Sequence, residues 1–198
     1  MSRCVAILAG GESRRMGADK AALRIGGITW LERIARAARD AGASVLVVGR
    51  SAPASGAIDG VRFVTDALAG LGPIGGLATA LDAAPEGRVA AVACDMPNLT
   101  ASAFTWLFDE ADARAVGDGL VTSHDGVVEP LFAVYTARCR PLVARQIAAG
   151  RRSMRALVDA GSFIRAEAPH AIRAALVNVN TPAELAAYAG ASVEGGAP

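Results

Sequence analysis

Cys4-Val5-Ala6-Ile7-Leu8-Ala9-Gly10-Gly11 is an unbroken apolar run stopped by two glycines. Nothing polar alternates within it, so it predicts a strand covered on both faces, the pattern of a parallel sheet. Ser44–Val48, Val61–Thr65 and Val89–Ala93 repeat that character. Helical segments lie between them. Thr29–Ala41 carries Trp30, Ile34, Ala37 and Ala38 on one face and stops at Gly42. Ile74–Ala84 follows the break at Gly72-Pro73, and Thr100 is placed to cap a helix over Ala101–Ala113. Strand and helix in alternation predict an α/β fold: a mostly parallel central sheet with helices on both faces.

The second half reads as more mixed. Gly119–Ser123, Val128–Tyr135, Phe163–Ala166 and Leu176–Val179 have strand character. Ala137–Ala149 and Arg152–Ala160 have helical character, with Pro141 delaying the first of these. Thr181-Pro182-Ala183-Glu184 is a capping box that opens a last helix to about Ala189. No repeat or linker divides the chain. The expectation is one domain over residues 1–191 and a small, polar, glycine-rich tail over 192–198.

The formal net charge is +1, from 20 basic and 19 acidic residues. No global field would draw in nucleic acid or an anionic membrane, so neither is an expected partner. No apolar run reaches the ~18 residues a membrane helix needs. Cys4, Cys94 and Cys139 lie far apart, with no zinc-ligand spacing and no disulfide framework. A cytoplasmic protein is the expectation.

Any anion site must then be local. Behind the first apolar run stand Gly10, Gly11, Arg14, Arg15 and Lys20. Ligands of open α/β sheets bind at the carboxyl ends of strands, where glycines let backbone N–H groups approach phosphate. Three cations so close together suit a triphosphate, although a solvated turn would look the same. The glycine spacing fits neither the P-loop nor the dinucleotide fingerprint. Two carboxylates end other strands. Asp66 follows VRFVT and Asp95 follows VAAVA, on the edge expected to hold Gly10. A hard cation such as Mg²⁺ takes one or two carboxylates plus phosphate oxygens. Asp95, on a central strand, is the better metal candidate. A cap or turn role is the alternative for both. Gly70–Leu77 forms a second glycine-rich loop, fit for a flat or anionic ligand or simply a lid. Arg151 and Arg152 could bind an acceptor phosphate or begin a solvated helix. His124 and His170 have no partner at ligand spacing and read as surface residues.

LAGGESRRMGADK at 8–20 closely resembles the N-terminal signature of the molybdenum cofactor guanylyltransferase (MobA-type) family. GLGPIGGL at 70–77 behind Asp66, ACDMP at 93–97, EPLFAVY at 129–135, GRRSM at 150–154 and VNVNTPAEL at 177–185 follow in that family's order. The resemblance implies a Rossmann-like nucleotidyltransferase fold. It implies that GTP and molybdenum-bound molybdopterin yield the guanine dinucleotide cofactor and pyrophosphate. It places Leu8, Ala9 and Gly10 against the nucleotide, Lys20 on its phosphates, Asp66 as a further nucleotide contact and Asp95 as the Mg²⁺ ligand. Arg15 and Lys20 would hold the departing pyrophosphate. Asn178 and Asn180 would face the pterin side, although Asn180 could equally cap the next helix. Arg152 would serve the acceptor. Molybdoenzymes or their chaperones are implied as recipients.

Two positions depart from the family pattern. The second strand ends in Gly49 where members often have Asn, and Glu129 stands where some carry His before the Pro. The rivals are a cytidylyl enzyme, which by resemblance has Ala where this chain has Gly10, a sugar-phosphate nucleotidyltransferase, and a non-catalytic carrier of the cofactor.

Overall fold

The computed structural model describes residues 3–10, 24, 25, 27–52, 58–84, 87–177, 179 and 184. Its strands are β1 (Cys4–Leu8), β2 (Arg24–Ile25), β3 (Ile28–Thr29), β4 (Ser44–Val48), β5 (Val61–Val64), β6 (Arg88–Ala93), β7 (Gly119–His124), β8 (Val127–Thr136) and β9 (Phe163–Glu167). Its helices are α1 (Trp30–Asp40), α2 (Pro73–Ala83), α3 (Ala101–Asp112), α4 (Arg140–Ala148), α5 (Met154–Asp159) and α6 (His170–Arg173). Seven strands form one sheet in the order β5-β4-β1-β6-β8-β7-β9. Only β8 runs against the others. The mostly parallel sheet expected from the apolar runs is thus present.

The apolar runs are continuous because each face of the sheet has its own helical cover. Val5, Ile7, Val45, Val47, Ala90 and Val92 pack with α1 and α3 residues such as Leu31, Ile34, Phe104 and Leu107. The intervening Cys4, Ala6, Leu8, Leu46, Val48, Val89 and Ala91 pack with Ile74, Leu77 and Leu81 of α2 and with Leu142 and Leu157 of α4 and α5. Thr29 caps α1 through a complete capping box with Glu32. Such caps contribute roughly 1 kcal/mol. Thr100 caps α3 as expected.

Three expectations need correction. Leu176 does not open a strand but ends a 3₁₀ turn over Ala174–Leu176, and Asn178 of the expected Leu176–Val179 strand lies outside the described residues. Arg152 does not begin a helix, because the Ser153 hydroxyl accepts from Ala156 N–H and starts α5 at Met154. Ala137–Ala149 is split into a 3₁₀ turn over Ala137–Cys139 and then α4. The predicted helix beyond Thr181, apart from helical Glu184, and the tail over 192–198 lie outside the described residues.

Candidate active site

Parallel β1, β4, β5 and β6 all finish on one edge, and the loops behind them carry Gly10, Gly49, Asp66 and Asp95. Antiparallel β8 starts on that edge, so Glu129 joins it from the other direction. Strand order sets the line as Asp66, Gly49, Gly10, Asp95, Glu129.

Gly10 and Gly49 touch backbone to backbone. Gly49 has φ +88°, and a Cβ there would lie 2.5 Å from Gly10 Cα. Ala9 N–H donates to Val48 O at 2.9 Å, and Gly49 N–H donates to Val64 O at 2.9 Å. These bonds extend the ladder past the strand ends. A Cβ on Gly10 would press Gly49 Cα at 3.2 Å and face Asp66 Oδ2 at 3.8 Å. The glycine at position 10 therefore lets two loops meet, whatever room it leaves for a base.

Asp66 is held on one oxygen. Its Oδ1 accepts from Leu68 N–H at 2.9 Å and from the Thr79 hydroxyl at 3.0 Å. Thr79 Oγ1 accepts in turn from Ala67 N–H at 3.2 Å. One oxygen thus makes the turn that was the alternative reading of Asp66, and the other stands beside Gly10. Within Gly70–Leu77, Gly75 and Gly76 serve packing, whereas Gly70 and Gly72 face open space. A Cβ on Gly75 would come 2.7 Å from Leu68 O, and one on Gly76 would press Leu8 Cδ2 at 3.3 Å. These glycines seat α2 on its own loop and on β1.

A cleft of about 420 Å³ opens between α2, β6, β8 and α5. Asp95, Glu129 and Arg152 are its charged members, and Pro73, Met96, Pro130, Leu131 and Met154 supply apolar wall. Arg152 donates from Nη1 to Gly70 O at 3.1 Å, bridging to the glycine loop. Asp95 O accepts from Val179 N–H at 2.9 Å. The rim at Glu129 has a structural cause. Register on β7 jumps between Val121, opposite Ala133, and Thr122, opposite Glu129. Pro130 sits in that irregularity, where a missing N–H costs no ladder bond. The buried Tyr135 hydroxyl donates to Pro130 O at 2.7 Å and fixes the segment.

Of the residues singled out from sequence, the structure brings Ala9, Gly10, Asp66, Asp95 and Arg152 to this edge. Leu8 is buried against α2, so only its backbone is available to a nucleotide. Gly11, Arg14, Arg15, Lys20, Asn178 and Asn180 lie outside the described residues. Among the described residues, no group of three or more His, Cys, Asp or Glu side chains could hold a metal. A cation at Asp95 would take most of its ligands from phosphate and water, as Mg²⁺ does. Likewise among described residues, no helix is long and apolar enough to cross a membrane.

Sequence reasoning missed one partnership. His124 Nε2 lies 3.1 Å from Glu129 Oε1, so the histidine read as a surface residue is tied to the cleft. The signal was Asp125-Gly126, whose φ values of 50° and 78° make the tight turn of a β7–β8 hairpin.

Residues 5–168 match the model of the MobA-like NTP transferase domain. A probable molybdenum cofactor guanylyltransferase of Opitutus terrae is 40% identical over 158 residues, covering 78% of this chain and 77% of that protein. One from Pelotomaculum thermopropionicum is 34% identical over 187 residues, covering 90% and 88%. The crystal structure of molybdopterin-guanine dinucleotide biosynthesis protein A from Archaeoglobus fulgidus superposes with a TM-score of 0.77 at 21% identity, covering 96% of this chain and 99% of that one.

Proposed function

Since the chain belongs to the MobA-like NTP transferase family, we propose that it transfers GMP from GTP to molybdenum-bound molybdopterin, giving the guanine dinucleotide cofactor and pyrophosphate. The observation that carries this reading is the position of Asp95. It lies between the Asp66–Gly49–Gly10 loops on one side and the Glu129–Arg152 cleft on the other. Two substrates that must meet at one phosphorus need such a shared centre.

GTP takes the β1–β4–β5 side. Backbone groups of Leu8, Ala9 and Gly10 lie along it, Gly11 is assigned to the same nucleotide contact, and Asp66 contacts it through the oxygen beside Gly10. Position 49 offers the base no side chain, so guanine selection rests on backbone and on Asp66. Arg15 and Lys20 hold the leaving pyrophosphate. The acceptor takes the other side, on Arg152, Asn178 and Asn180. The Val179–Asp95 bond supports the last two assignments, because Val179 stands between them in sequence.

The acceptor's terminal phosphate oxygen attacks the α-phosphorus in line, and pyrophosphate leaves. An ionised phosphate needs little help from a base, so positioning and charge neutralisation dominate. A divalent cation, Mg²⁺ in this reading, fits the carboxylate of Asp95 and would supply charge neutralisation on the phosphates. The reaction is placed in the cytoplasm, in keeping with three free cysteines. Molybdoenzymes or their chaperones would receive the product.

The test incubates the protein with Mg²⁺, molybdopterin and each of GTP, CTP and ATP, and follows pyrophosphate and dinucleotide. Dinucleotide formed with GTP is the expected result. Transfer from CTP alone would replace this reading by the cytidylyl one, and binding without pyrophosphate would leave a carrier.

A further inference from the structure

Glu129 has no role in the reaction just described, yet it lines the cleft beside Asp95 with its side chain only 17% exposed. His124 holds one of its oxygens: Nε2–H donates to Oε1 at 3.1 Å. The histidine is carried by the hairpin, where it sits diagonally across from Glu129, within reach of a long side chain. The hairpin is itself braced. Arg173 donates to Asp125 at 2.7 Å and to Glu167 at 2.9 Å, and Glu167 accepts from Ser123 Oγ at 2.9 Å. A carboxylate fixed at one oxygen on a braced element presents the other as an oriented acceptor.

Besides the charged Asp95 and Arg152, the wall offers bulky, flat or flexible apolar surfaces in Met96, Pro130, Leu131 and Met154. Such a slot takes a flat heteroaromatic ring, and a carboxylate at its end selects an edge that donates hydrogen bonds. The 2-amino-4-oxopyrimidine edge, with adjacent N–H and NH₂ donors, has that chemistry. Both guanine and pterin present it. Glu129 stands beyond Asp95 from Gly10, Gly49 and Asp66, which favours the ring of the acceptor.

We infer that Glu129, oriented by His124, reads the amino-oxo edge of the acceptor's pterin ring and so determines acceptor specificity. This rests on the reading of the acceptor side given above. Losing a hydrogen bond to a charged group costs about tenfold to a hundredfold in binding.

Two arms test the inference. In steady-state transfer, Glu129→Ala and Glu129→Gln raise the acceptor KM by about tenfold to a hundredfold, with the GTP KM and kcat within twofold. His124→Ala raises the same KM, and His124→Gln, which keeps a donor near the position of Nε2, restores much of it. In direct binding, followed by the ring's own fluorescence, wild type prefers pterin to lumazine, which carries oxygen in place of the 2-amino group. Glu129→Gln erases or reverses that preference. An acceptor KM unchanged in both Glu129 variants overturns the inference, as does a rise in the GTP KM instead. A protein that makes no dinucleotide but still loses its pterin preference with Glu129→Gln refutes the reaction and keeps the inference.

Discussion

The backbone N–H of Val179 donates to the carbonyl oxygen of Asp95 across 2.9 Å. The bond ties a segment beyond the last described helix to the loop at the end of β6, 84 positions earlier (179 − 95). Leu99 N–H, donating to Met96 O at 3.3 Å, closes the same loop from inside. The Asp95 backbone is therefore held by bonds separate from those of its carboxylate, and Asp95→Asn leaves them in place.

That separation gives a clean expectation for Asp95→Asn. The variant keeps the thermal midpoint of the wild type to within a few degrees. Its transfer rate at saturating GTP and acceptor falls by about 10²–10³, the usual cost of one placed charge stabiliser. Titration with Mg²⁺ should lose its response. An unchanged rate would remove Asp95 from the centre of the reaction.

Gly49 answers to sterics rather than charge. Its φ of +88° strains any side chain, and a Cβ would lie 2.5 Å from Gly10 Cα and 2.7 Å from Gly10 N. Gly49→Ala should lose at least about 2 kcal/mol of stability from the left-handed backbone and the clash together. Because the clash is with Gly10, the GTP KM should also rise, and urea denaturation with initial-rate assays measures both. Gly10→Ala meets only a 3.2 Å contact and should be the milder change.

The contrast between these glycines shows what the sequence could reveal. Cys4–Leu8 was legible as a doubly covered strand because neighbouring residues belong to different helical faces, and composition alone carries that. Asp95 was legible because a strand end with Met-Pro behind it has a position in any parallel sheet. The reversed direction of β8 was not legible, since an apolar strand reads alike both ways. The His124–Glu129 pair depends on that direction and on a register jump three residues long, which no local pattern encodes. Arg152 was misplaced onto a helix because the Ser153 cap takes effect one residue later.

Thr79 tests whether Asp66 must be oriented. Thr79 is 7% exposed, and its hydroxyl works twice, donating to Asp66 Oδ1 and accepting from Ala67 N–H. Thr79→Val keeps the shape and removes both bonds. A loss of about 1–3 kcal/mol in stability is expected for the stranded groups. If Asp66 contacts the nucleotide, the GTP KM rises while the acceptor KM does not. A stability loss with both KM values unmoved would assign Asp66 to the turn alone.

The buried thiol of Cys139 predicts an alkaline limit to stability. Burial foremost, helped by the negative charge of Asp118 and opposed by Arg140, pushes it up from 9.0 to about 12. Burial likewise raises Cys4, and burial followed by Cys139 raises Tyr135 above its ordinary 10.0. An unfolded chain releases the Cys139 proton near pH 9, and the folded chain keeps it. The stabilisation is thus intact below pH 9 and is lost as the pH climbs towards 12. Each such group contributes a slope of about 1.4 kcal/mol per pH unit within its window. Urea unfolding of the wild type and Cys139→Ala at pH 8, 9, 10 and 11 reads that slope. The variant starts lower because it leaves a small cavity, yet it should lose stability less steeply, so the two curves converge. Parallel curves would mean that the thiol titrates alike in both states and that its burial has no bearing on the alkaline limit.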